Sequence, residues 1–206
     1  MRAQPCVGLR LATLAYEPAV GLVAGRRDCH PKSRHSGGMN SDTAKEFTAD
    51  AVVGAALDIA RSAGFAFLIT SATTPSSGVS ARLMQPFAPD DDFIVWLGTS
   101  PSSRKVAELQ ADATATLAYE AVDGAGYVSA TCDATIVTDD DARKAHWRDD
   151  WTAFFPGGAG GDDFVVLCLR ARRLEVVSFA HGITPTPYGV KAAVVVREGT
   201  GWHLAP

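Results

Sequence analysis

Between Phe65 and Arg197 the chain alternates short apolar or β-branched runs with turn residues, and the runs do not interleave with helices one for one. Residues 65–70 are short, apolar and aromatic, the mark of a buried strand. Residues 79–87 alternate, with Val79, Ala81, Leu83 and Phe87 on one face and Ser80, Arg82 and Met84 on the other. Residues 93–97 give a third strand. Turn residues at 75–78 and 89–92 join these three tightly, which predicts an antiparallel meander. Residues 114–119, 127–137, 164–179 (one long strand or two joined) and 191–197 bring the count to six or seven strands. Helical patterns occur from Ser41, with Val52, Val53, Ala56, Leu57 and Ala60 at three- and four-residue steps, and over 102–111, with Val106 and Leu109 on one side. A third starts in the acidic run Asp139-Asp140-Asp141 and carries Trp147, Trp151, Phe154 and Phe155 up to Pro156-Gly157-Gly158. This order predicts a mostly β, α+β fold: an antiparallel barrel with peripheral helices, not a doubly wound sheet.

Composition narrows the class of partner. Of 206 residues, 47% are hydrophobic and 20% charged, and 19 basic against 23 acidic residues give a net charge of −4. That balance argues against a nucleic-acid backbone or an anionic membrane as the main partner, while leaving room for a local basic pocket. The charge is unevenly spread: residues 1–38 carry six basic and two acidic residues, so the remainder carries −8. Residues 1–38 therefore read as a flexible N-terminal extension, with a linker over 30–38 and Met39 as a candidate physiological start, and 39–206 as the folded domain. Glu17-Pro18 interrupts the apolar stretch that a signal peptide needs. No run of eighteen apolar residues exists, and the chain reads as cytoplasmic. Cys6, Cys29, Cys132 and Cys168 lack CxxC spacing, and Cys29, His30 and His35 lack a fourth partner, so no metal site is expected.

The stretch from Thr99 to Lys105, Thr-Ser-Pro-Ser-Ser-Arg-Lys, carries the most chemistry. A strand ends at Thr99 and a helix begins near Ser102 or Ser103, both good caps. Yet Arg104 and Lys105 occupy the first turn, where the helix dipole disfavours cations. Local physics leaves two readings open. Free backbone N–H groups, hydroxyls and two cations make an anion site, or Arg104 simply pairs with Glu108 one turn on. Arg82, in mid-strand on the meander, would adjoin this turn and converge with Arg104 and Lys105 on one phosphate. His146 and Asp150, four apart, read as a helix-surface contact.

These residues carry a resemblance. Residues 96–109 (WLGTSPSSRKVAEL), Tyr127-Val128-Ser129, and the run Phe154-Phe155-Pro156-Gly157-Gly158 are similar to the pyridoxamine 5′-phosphate oxidase superfamily, in its general stress protein branch, over about residues 44–179. The resemblance implies a split β-barrel that binds FMN, usually as a homodimer with the flavin at the subunit interface. It implies Arg82 on the FMN phosphate, Thr99 and Ser100 near the phosphate and ribityl chain, and Ser103, Arg104 and Lys105 completing the grip. Trp151 and Phe155 would lie near the flavin of the neighbouring subunit, unless they are core packing. Two departures matter. The tail offers only Arg197 and Trp202, in an arrangement unlike the substrate-phosphate motif of the vitamin B6 oxidases. Gln85 and Phe87 stand near the place of a family lysine, which keeps FAD and a deazaflavin open as cofactors. The implied function is an FMN-dependent oxidoreductase passing electrons from reduced nicotinamide to a small acceptor, or a flavin-binding stress protein without turnover.

Overall fold

The computed structural model describes residues 47–73, 78–185 and 191–205. The expected extension over 1–38, the start at Met39, the helix start at Ser41, Cys6, Cys29 and most of the turn over 75–78 lie outside the described residues. Helix α1, Ala49–Ser62, opens at Thr48, whose Oγ1 accepts the Ala51 N–H at 3.2 Å. Its apolar face buries Val52, Val53, Ala56, Ile59 and Ala60. Strands β1 (Ala66–Ser71), β2 (Val79–Met84) and β3 (Ile94–Thr99) follow, then α2 (Arg104–Ala111), β4 (Thr114–Glu120) and β5 (Gly126–Val137). After α3 (Asp140–Ala145) and a 3-10 segment (Asp149–Ala153) come β6 (Val165–Ser178), β7 (Ala193–Glu198) and β8 (Gly201–Leu204).

All eight strands join one antiparallel sheet in the order β2-β1-β4-β5-β6-β7-β8, with β3 on the free side of β6. Helix α1 packs against β4, β5, β6, β7 and β8, and the sheet does not close. The expected mostly β, antiparallel, split-barrel architecture with peripheral helices is the observed one. The expected meander is not. β1 and β2 form a hairpin, but β3 pairs with β6, Trp96 lying opposite Cys168. The reason is burial: Val95, Leu97 and Thr99 point into the protein and need a deep neighbour, which the apolar start of β6 supplies. The connection from β2 meets β3 through the Phe87 N–H on the Trp96 carbonyl at 2.9 Å.

The long segment expected over 164–179 is one strand with a bulge. Thr131 faces Arg173 and Cys132 faces Ala171, leaving Arg172 as the extra residue. Leu167, Leu169 and Ala171 point inward before it, and Leu174, Val176 and Ser178 after it. The slip keeps both halves' apolar residues inside. It also falls where the second neighbour of β6 changes from β3 to β7.

The aromatic helix expected over 139–155 is likewise corrected. Asp139 caps α3, its Oδ1 accepting the Ala142 N–H, but the helix stops at His146, which leaves helical geometry. The His146 ring stacks on Trp96 at 4.0 Å between centroids, and Arg148 donates to the Pro86 carbonyl at 2.8 Å. These tertiary contacts separate α3 from the 3-10 segment. Trp151 is 8% exposed and, with Phe155, Phe164 and Trp147, forms a second apolar cluster beside the main core. Gly98 in β3 makes room for it: a Cβ there would sit 2.1 Å from Trp151 Cζ3 and 2.8 Å from Phe164 Cε2. Gly98→Ala should therefore destabilise the fold by ~1–3 kcal/mol through overpacking, read from the denaturation midpoint. Gly54→Ala on α1, where a Cβ meets nothing within 4 Å, should instead stabilise it by ~0.5–1 kcal/mol.

Candidate functional site

The inward face of the β1–β2 hairpin is polar at one end. Thr70 lies opposite Ser80, and Leu68 opposite Arg82, so Thr70, Ser80 and Arg82 share a face. The outward face carries Val79, Ala81 and Leu83, all exposed. Helix α2 packs against β1 and β5 with Val106 and Leu109 buried, and brings Glu108 onto the polar patch.

Glu108 is 1% exposed. Its Oε2 accepts the Thr70 hydroxyl at 2.6 Å and Arg82 Nη2 at 2.5 Å; its Oε1 accepts the Ser80 hydroxyl at 2.8 Å and pairs with Arg104 Nε at 3.2 Å. Burial alone would raise its pKa, but the hydrogen bonds from Thr70, Ser80 and Arg82, with the Arg82 charge, hold the carboxyl below its ordinary value. Arg82 also donates through Nη1 to Thr70 Oγ1 at 2.7 Å and to the Leu68 carbonyl at 3.4 Å. Its Nε–H and the second Nη2 hydrogen have no partner among the described residues.

The start of α2 stands beside this cluster. Thr99, 3% exposed at the end of β3, lies 3.2 Å from Ser103 Oγ and accepts Lys105 Nζ at 2.9 Å. Ser103 is the N-cap residue, but its side chain caps no helical N–H. The backbone N–H groups of Arg104 and Lys105 have no acceptor among the described residues, and the first turn contains no acid. Ser100 is occupied locally, its hydroxyl 2.9 Å from that of Ser102. Burial, then the nearby Arg82 charge, lowers the Lys105 pKa, with Glu108 opposing. Three cations against one carboxylate leave a net charge of +2.

Of the two readings of the Thr99–Lys105 stretch, the pairing of Arg104 with Glu108 is present. Arg82 joins it there, whereas the Lys105 ammonium donates to the Thr99 hydroxyl. The side chain on which the two arginines meet is Glu108, which sequence reasoning treated only as a helix-surface partner. Its signal was its position, four residues after Arg104 and three after Lys105, next to buried Leu109. Arg82 reaches the helix although β2 is not beside β3, because α2 crosses β1. Trp151 and Phe155 are placed in the aromatic cluster, apart from these cations in the contact pattern.

Other expected contacts resolve structurally. His146 caps α3 and stacks on Trp96, whereas Asp150 belongs to the 3-10 segment, so they share no helix face. Arg197 stacks on Trp202 at 4.4 Å and donates to the Ala171 carbonyl at 2.9 Å. Cys132 is fully buried, and burial pushes its thiol up to about 12, leaving it inert. A contact that sequence reasoning missed joins Ser178 Oγ to His181 Nδ1 at 2.8 Å and His181 Nε2 to Asp58 at 3.1 Å. Ser178 is 1% exposed and its oxygen lies 3.3 Å from the His181 backbone nitrogen, which donates to it, so the trio ties the turn after β6 to α1. No group of His, Cys, Asp and Glu fit to hold a metal occurs among the described residues. None of their helices is long and apolar enough to cross a membrane.

Comparisons with known proteins agree with this architecture. A protein related to general stress protein 26, from Clostridium acetobutylicum, is 17% identical with a TM-score of 0.54, over 62% of this chain and 88% of that one. A pyridoxamine 5′-phosphate oxidase-related, FMN-binding protein from Nostoc punctiforme is 15% identical with a TM-score of 0.50, over 74% and 93%. A haem-binding protein from Mycobacterium smegmatis is 21% identical with a TM-score of 0.50, over 63% and 55%. No curated protein matches the chain. At these identities the likenesses establish the fold. The sequence family described as "Pyridoxamine 5'-phosphate oxidase like" matches residues 53–198, and this chain belongs to that family.

Proposed function

We propose that the protein binds FMN, with the flavin phosphate at the start of α2. The observation that carries this reading is the pair of unpartnered backbone N–H groups at Arg104 and Lys105, in a helix turn that holds cations where acids are favoured. A bound dianion offsets that unfavourable placement. Arg82 supplies its free Nε–H edge, Lys105 its ammonium group, and Ser103 and Thr99 their hydroxyls. Ser100, at the strand end, would serve the phosphate and ribityl chain. The phosphate chemistry is shared with FAD and a phosphorylated deazaflavin, so titration with each decides among them.

When bound, the flavin supplies the electron-carrying centre, and the protein supplies grip, orientation and access. We read the protein as an oxidoreductase that takes electrons from a reduced nicotinamide and passes them to a small acceptor. Anaerobic addition of NADH to the FMN-loaded protein should bleach the flavin absorbance. Flavin that binds but stays oxidised would instead support a reservoir or sensor.

The exposed outer face of the hairpin favours a second copy of this chain as partner. Phe67 and Leu83 are cross-strand neighbours, 52% and 57% exposed, with Phe65 on the same face at 53% and Val79 further along it at 67%. A homodimer would cover that apolar patch, and a flavin held between the subunits accords with family membership. Leu83→Lys should shift the species seen by light scattering from dimer to monomer.

Two outcomes test the phosphate grip. Arg82→Ala should weaken FMN binding about ten- to a hundredfold, from ~1.5–3 kcal/mol lost, while riboflavin affinity changes little. Lys105 loses its proton at a lower pH than an ordinary lysine, so FMN affinity should decline on the alkaline side before pH reaches the usual lysine range. In Lys105→Ala that alkaline limb should flatten in fluorescence titrations, with the site weaker throughout.

A further inference from the structure

Arg82 would be expected to offer an incoming phosphate its whole guanidinium, but much of it is already occupied. Glu108 faces it from α2 with both oxygens engaged, and the four donors it accepts come from three elements: Thr70 on β1, Ser80 and Arg82 on β2, and Arg104 on α2. The carboxylate's own hydrogen-bonding capacity is met by protein donors. Nothing in the phosphate-binding reading needs a buried carboxylate there, and a negative charge among the binding cations opposes a second one.

We infer that Glu108 is a resident counter-anion that specifies reversible phosphate binding. It keeps Arg82 paired and the hairpin docked on α2 when the site is empty, and competes electrostatically with the ligand phosphate when it is filled. The free Nε–H edge of Arg82, the Lys105 ammonium and the two free N–H groups still attract a dianion. The attraction is that of a net charge of +2 instead of +3. The ligand therefore exchanges with solution and is not held as a permanent prosthetic group. This inference rests on the anion-site reading and concerns the affinity of that site.

The same linkage predicts how a neutral side chain behaves. Glu108→Gln keeps the length and one carbonyl acceptor but removes the charge. The unliganded variant should melt at a lower temperature than the wild type. Its FMN affinity should rise at least tenfold and its FMN dissociation slow by a similar factor, while riboflavin affinity stays unchanged. Wild-type protein loaded with FMN should lose the flavin on gel filtration and regain it on addition. FMN affinity that is equal or weaker in a folded Glu108→Gln protein would overturn the inference. So would one FMN per chain retained by wild type through gel filtration, a result available even if the variant fails to fold. Inorganic phosphate separates this from the flavin proposal. If neither protein binds FMN but phosphate raises the melting temperature of the variant more than that of wild type, the counter-anion role stands and the flavin reading falls.

Discussion

A carboxylate with 1% exposure survives in this protein because four donors surround it. Desolvating a charge costs several kcal/mol unless partners replace the lost water. Here those partners belong to β1, β2 and α2, so the ion cluster doubles as the joint between hairpin and helix. Removing one partner would strand the others in a poorly hydrated space. The candidate site and the local fold are in this sense one set of interactions, and changes to binding residues should register in stability as well.

The sheet order places that joint. β6 is the organising strand: it runs beside β5 along its length, beside β3 before the bulge, and beside β7 after it. Committing β3 to β6 sends the chain from Thr99 back across β1 as α2, which is how a helix that follows β3 meets the arginine of β2. Gly98, one residue before Thr99, lets Trp151 close against the same strand. The aromatic cluster fixes the strand end from one side while the ion cluster receives the helix on the other.

The outward face of the hairpin complements this. With Arg82 turned inward, period-two geometry requires Ala81 and Leu83 to turn outward. The polar inner face and the exposed apolar outer face are two consequences of one register. The proposed anion grip and the proposed surface for a second subunit therefore share a hairpin, which would couple the dimer to the cofactor.

The sequence by itself determined seven of the eight strand segments, missing the short β8, together with a helix start near Ser102 or Ser103 with its misplaced cations and the antiparallel class, because these follow from local periodicity and capping. It also left Arg104 with a visible partner in Glu108, since four residues is one helical turn. Only the tertiary structure decided that β3 leaves the hairpin for β6, that the aromatic segment breaks at His146, and that Arg82, Thr70 and Ser80 meet on Glu108. Those outcomes depend on which surfaces bury each other across distances of chain from 26 residues, Arg82 to Glu108, to 76, Ile94 to Arg170, and alternation along a strand says which way a side chain faces but not what it will find there.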